Sequence, residues 1–174
     1  MASVLSGSTA LTPDMRAVIR SAHLCFAATV TPEGHPNLSP KGTIRIWDDR
    51  HLFFLDIASP GTRANLLVNP WMELNVVDQL SRRGYRFFGP ANLHLGGDLF
   101  ERAVRMVVGE EKTAYPVTAV VMLEVERAAP LISPGYWRVV DEDAMRTQWR
   151  ERRVALDREF EEHVRVQGAF RVER

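Results

Sequence analysis

The stretch that decides the fold is residues 26–63. It reads FAATVTPEGHPNLSPKG (26–42), TIRIWDDRHLFFLD (43–56) and IASPGTR (57–63). Three strand-like runs are separated by polar turns. At the first turn Pro32 sets one torsion and Gly34 takes the positive one; at the next, Asp48, Asp49 and Arg50 reverse the chain. The last run leads into a short helix, 60–68, opened by Ser59, Gly61, Thr62 and Arg63. A helix start carries free backbone N–H groups and the positive end of the helix dipole, so it can hold a phosphate. Arg63 adds a cation there. Lys41, one of only two lysines in a chain that otherwise uses arginine, lies upstream. The stretch reads as one wall of a phosphate-anchored cofactor site.

Working outward, residues 1–11 are small and polar and read as frayed. Thr12 as N-cap and Pro13 at the first position open a helix to about His23, with Met15, Val18, Ile19 and Ala22 as its apolar face. Strands are expected at 25–31, 35–38, 43–47 and 52–57, with Pro40 and Gly42 interrupting around Lys41. The helix 60–68 stops at Asn69-Pro70. A half-buried strand follows at 72–78, where Met72, Leu74 and Val76 alternate with Glu73 and Asn75. The next strand covers 85–95, with Gly89-Pro90 marking a bulge or an edge. A helix is expected over 97–108, a polar loop over 109–116, a central strand over 117–125 and a short last strand over 132–139. Short antiparallel strands in sequence favour a nearly closed barrel, which removes exposed edges.

From residue 141 to 166 charge becomes dense. Met145, Trp149, Leu156, Phe160 and Val164 fall close to one helical face, and Gly168 reads as the stop. Such a stripe packs on its own barrel or joins a second subunit.

The bulk numbers exclude several classes. The chain has 174 residues and a formal net charge of zero, so no global field draws it to nucleic acid or membrane. Its one cysteine, Cys25, cannot form an intrachain disulfide. It reads as a small core residue in a protein of the reducing cytoplasm. No leader pattern and no apolar run long enough to span a bilayer is present. The five histidines share no metal-ligand spacing. GxSxG, a Walker phosphate loop and a GxGxxG after a strand are all missing. Glu110-Glu111 and Asp48-Asp49 read as solvated turns.

The strongest constellation is Ser39-Pro40-Lys41-Gly42 with Ser59-Pro60-Gly61-Thr62-Arg63. Cations, hydroxyls and free N–H groups in two segments, one hairpin apart, are what a phosphate needs. The same residues also read as a capped helix and a solvated turn lysine. Arg82, Arg83 and Arg86 around Gly84 form a second basic cluster, facing either an anion or solvent. Trp137 either stacks on a flat ring or covers the core.

In order and spacing, FAATVTPEGHPNLSPKG, LFFLDIASPGTRANLLVNPWMELNVVD and RRGYRFFGPA resemble the pyridoxamine 5'-phosphate oxidase-like family of flavin-binding split barrels, over roughly residues 13–138. The resemblance implies a mainly β (α+β) fold, a six-stranded antiparallel split β-barrel with flanking helices over residues 1–140, to which this sequence adds a long C-terminal helical extension of the same domain (141–174). It implies a homodimer with FMN in the cleft between subunits and a small-molecule substrate. Lys41 falls near the family's first basic contact. Thr62 and Arg63 fall where a hydroxyl and a cation meet the phosphate, with Ser59 at the same helix start. Leu55 and Asp56 lie on the strand bordering the flavin ring. Arg83 and Gly84 fall on the segment that reaches the ring, and Trp137 matches a late aromatic that closes over it. The chain departs from the true oxidase after residue 141, where a charged helix replaces the arginine-containing segment that grips pyridoxal phosphate. The family also has members that use F420, bind haem or have no known activity. It assigns no catalytic acid or base, because flavin chemistry is largely the cofactor's own.

Overall fold

A computed structural model describes residues 5–6, 9–112, 114–138 and 141–167. These fall into two compact units. One is drawn from the residues up to Asp78 with Arg83–Leu131, the other from Gln79–Arg82 and the chain from Ile132 onward.

In the first unit the elements are β1 (Leu5–Ser6), α1 (Pro13–Ala22), β2 (Cys25–Val30), β3 (Pro36–Lys41), β4 (Arg45–Ile46), β5 (His51–Asp56), α2 (Pro60–Val68), β6 (Trp71–Asp78), β7 (Arg83–His94), α3 (Gly97–Glu111), β8 (Ala119–Glu124) and β9 (Arg127–Ile132, whose last residue belongs to the other unit). All nine strands form one sheet, in the order β3-β2-β6-β7-β8-β5-β4, with β1 and β7 also pairing β9. Every pairing whose register is defined is antiparallel.

The connection between β3 and β4 forces the barrel. These strands are neighbours in sequence yet occupy the two ends of the seven-strand path. Flat, those ends would lie about 29 Å apart at ~4.8 Å per strand. The link from Lys41 to Arg45 reaches at most roughly 14 Å at ~3.5 Å per residue. The sheet therefore curls until its ends approach. Thr43 ties the crossing to the wall: its Oγ1 accepts from the Leu55 N–H at 2.9 Å and donates to the Leu55 carbonyl at 3.3 Å. The result is the expected antiparallel split barrel, with more strands than six because β1, β4 and β9 also pair.

β7 serves both halves of the curl. Its residues up to Pro90 pair β6, and Ala91–His94 pair β8. Gly89 permits the crossing, since a Cβ there would stand 1.9 Å from the Glu124 carbonyl oxygen. The bulge expected at Gly89-Pro90 is this change of partner.

The barrel interior holds Cys25, Ala27, Leu52, Phe54, Leu74, Val76, Phe87, Val121 and Leu123, closed by Met15, Val18 and Ile19 of α1. On the other face of β5 and β8, Phe53, Leu55, Val120 and Met122 pack against Ala103 and Val107 of α3. β5 is thus buried on both sides, which its unbroken apolar run required.

The second unit contains a 3-10 turn, Pro134–Trp137, and the long α4, Glu142–Gln167. The Tyr136 hydroxyl donates to the Ser81 carbonyl at 2.6 Å, and the Arg82 guanidinium lies 4.2 Å from the Trp149 ring centre. The strand expected at 132–139 is instead β9, ending at Ile132, followed by that turn; Val139 lies outside the described residues. Gly168, read as the stop of α4, also lies outside them.

Candidate functional site

Strand alternation places Asn37, Ser39 and Lys41 on one face of β3, opposite Thr29, Ala27 and Cys25 of β2. The first turn of α2 lies over this row. The Lys41 side chain is buried, at 4% exposure. Its ammonium donates to Ser39 Oγ at 2.7 Å and to Ser59 Oγ. An ammonium has three donors, so one remains after these two bonds. Each serine hydroxyl accepts from Lys41 and still carries a proton to give onward.

Ser59 is the N-cap of α2, but its side chain caps nothing. Its hydroxyl serves Lys41 instead. Pro60 brings no N–H, so the first-turn N–H groups of Gly61 and Thr62 stay without an intrahelical acceptor. Asp56 anchors the approach: its carboxylate accepts from the Ser59 N–H at 3.1 Å and from the Thr118 hydroxyl at 3.1 Å. Burial pulls the Lys41 ammonium below its ordinary pKa, while the charge of Asp56 opposes the fall. Among the described residues the hydrogen-bond partners of this buried cation are neutral hydroxyls, a setting that favours an added anion.

This cluster opens on a cavity of about 480 Å³, lined among others by Lys41, Leu55, Ala58, Ser59, Glu111 and Tyr115. That volume lies within the roughly 300–1,000 Å³ of small-molecule sites. Glu111 and Tyr115 form its acidic side. The Tyr115 hydroxyl donates to Glu111 Oε2 at 2.5 Å, and Arg45 pairs the same carboxylate at 2.6 Å. Burial alone would raise Glu111; those two bonds bring it below its usual range.

The structure therefore brings together Lys41, Leu55 and Ser59 at one cavity, with Asp56 holding its frame. Thr62 is buried beside it, accepting from Asn37 Nδ2 at 3.4 Å, which ties α2 to β3. Arg63 sits in the same first turn, half-buried, and its guanidinium has no hydrogen bond or ion pair among the described residues; it does not line the cavity. Arg83 is held by Asp14 at 2.9 Å, and Arg86 by Glu73 at 3.0 Å. Gly84 is packed so tightly that a Cβ would lie 2.2 Å from the Val76 carbonyl oxygen. Trp137, in the second unit, is 86% exposed.

Sequence reasoning missed Asn37, Asn65 and Thr29: the buried Thr29 hydroxyl accepts at 3.0 Å from the side chains of both the buried Asn65 and the half-buried Asn37, a polar knot under α2. The signal was the alternation of β3 through Lys41. It also missed Glu111 and Tyr115, because residues 109–116 read as loop while α3 runs on to Glu111.

A second cavity of about 490 Å³ is lined by Arg16, Arg20, His23, Arg45, Asp48 and Glu110 among others. It is less apt for an anion, because Arg16 already pairs Asp49 and Arg45 already pairs Glu110 and Glu111. Among the described residues no three His, Cys, Asp or Glu side chains gather to hold a metal ion, and no helix is long and apolar enough to cross a membrane.

Fold and site together define a split barrel with a buried cation and a helix start at one cavity. The family described as pyridoxamine 5'-phosphate oxidase matches residues 11–131, and the chain belongs to that family. HupZ of Group A Streptococcus is similar, at 32% identity over 67% of this chain and 90% of that one, with a TM-score of 0.60. A pyridoxamine 5'-phosphate oxidase assigned from Lactobacillus delbrueckii is 26% identical over 74% of this chain and 98% of that one, TM-score 0.61. An FMN-binding protein from Syntrophomonas wolfei shares the fold at 15% identity, covering 67% and 88%, TM-score 0.55. No curated protein matches the chain.

Proposed function

We propose that the chain is an FMN-binding flavoprotein and an oxidoreductase acting on a small substrate. The observation that carries this reading is the buried Lys41 ammonium, bonded to two hydroxyls beside an uncapped helix start. Lys41, Ser39, Ser59 and the N–H groups of Gly61 and Thr62 hold the phosphate, and Arg63 adds long-range attraction. Leu55, Ala58 and Pro40 give the ring its apolar wall. When bound, the flavin supplies hydride or electron transfer. The protein binds, orients and shields it, and leaves the cavity's Glu111–Tyr115 side for the substrate.

The reading includes a homodimer. On the outward face of β2 and β3, Phe26, Val30 and Leu38 are 41%, 41% and 64% exposed, an apolar surface that a second copy would cover.

The absorption spectrum of the protein as purified tests this. Flavin bands, bleached on reduction by a nicotinamide nucleotide and restored by dioxygen, support it. Deazaflavin or haem bands would move the chain to an F420 or haem protein. Bound flavin that no donor reduces would make it a non-catalytic carrier.

A further inference from the structure

α4 exposes apolar side chains that the barrel reading does not use. Val154, Leu156 and Phe160 are 50%, 40% and 65% exposed. Trp149, Arg153, Leu156 and Phe160 recur at alternating spacings of four and three, the repeat of a two-helix seam. Beside Trp149 lies an open groove of about 220 Å³, lined by Gln79, Leu80, Arg82, Trp149, Arg153 and Leu156.

The charges flanking this seam are not mixed at random. Of the residues that border it, Arg150 and Arg152 precede its midpoint and Asp157 and Glu159 follow it, while Glu151 and Arg158 fall on the opposite face. A parallel copy in register would set Arg153 against Arg153 of the partner subunit within the seam itself. An antiparallel copy removes that clash. The register that puts Trp149 against Phe160 of the partner subunit also puts Arg153 against Leu156 of the partner subunit. It then sets Arg152 beside Glu159 of the partner subunit, and Arg150 beside Asp157 of the partner subunit. Each contact occurs twice by symmetry. The intrahelical Arg153–Asp157 pair, exposed on both sides, is too weak to compete.

We propose that α4 is a self-association surface: two copies of this chain pair their α4 helices antiparallel, with the Phe160 ring of each entering the groove beside Trp149 of the other.

Sedimentation of the full chain across a concentration range tests it, with three variants. Phe160→Glu, Arg152→Glu and Glu159→Arg should each weaken one association step by about tenfold or more. An equimolar mixture of the Arg152→Glu and Glu159→Arg chains should restore it, because the mixed pair meets opposite charge at both sites. Visible-band absorbance should be the same in all of them. Association unchanged in every variant would overturn the proposal by placing the stripe against its own chain. Weakening that the mixture does not restore would overturn it too, by assigning the face to another partner or another register.

Discussion

The ammonium of Lys41, at the end of edge strand β3, donates to the hydroxyl of Ser59, the N-cap of α2. That single bond joins the two segments that a phosphate would need together, and it diverts Ser59 from capping the helix. An N-cap serine ordinarily contributes about 0.5–2 kcal/mol by satisfying an N–H of the first turn. Here those N–H groups are left for something else, in a frame fixed by Asp56 on one side and by the Asn37–Thr62 contact on the other.

Lys41 and Arg63 should not be equivalent. Lys41 lines the cavity and is buried, whereas Arg63 lies in the first turn of α2 without lining it. Arg63→Ala should weaken FMN binding by about 1.5 to 3 kcal/mol if it makes a charged hydrogen bond to the phosphate, and by less if it acts only at range. Lys41→Ala should cost at least as much. Fluorescence titration of both variants checks the order, and a larger loss from Arg63→Ala would move the phosphate toward α2.

Gly84 tests a packing role against a ligand role. Its backbone lies so close to Val76 that an added methyl meets a carbonyl oxygen of the adjoining strand. Gly84→Ala should destabilise the fold by about 1–3 kcal/mol, read from the midpoint of urea unfolding. Intact stability with altered flavin affinity would return Gly84 to the ring.

Alkaline stability should report Cys25. Burial pushes its thiol up to about 12, from 9.0 in the open chain. Above pH 9.0 the unfolded chain releases this proton and the folded chain keeps it, so the unfolded state binds fewer protons. Stability contributed by the neutral thiol is complete below that pH and is lost as pH rises toward the folded value, at up to about 1.4 kcal/mol per pH unit. Cys25→Ala should flatten this slope by that amount. An unchanged slope would mean that the thiol is reached by solvent in the native state.

Much of the barrel could be read from residues alone, because its cues are local. Thr12-Pro13 and Ser59-Pro60 mark helix starts, Met72, Leu74 and Val76 alternate, and the run from Leu52 is apolar on both faces. α2 falls where it was expected, at Pro60–Val68. β9 escaped notice because Arg127, Ala129 and Pro130 carry little strand propensity and depend on pairing with β1 and β7. α3 passes Gly109 to reach Glu111, since Arg45 and Tyr115 hold its last turn. The site was legible in the same uneven way. Lys41 and Ser59 belong to two short motifs, whereas Arg83 looked like part of a basic cluster and proves to be committed to Asp14. No spacing rule shows that a carboxylate on α1 will lie across from β7.

The most direct test of the phosphate site compares FMN with riboflavin, which differ only in the phosphate, on the wild-type chain and on Lys41→Met. The account predicts that wild type binds FMN at least about tenfold more tightly than riboflavin and that Lys41→Met removes most of that preference. Equal affinity for the two ligands in the wild-type chain, or a preference that survives in Lys41→Met, would contradict it.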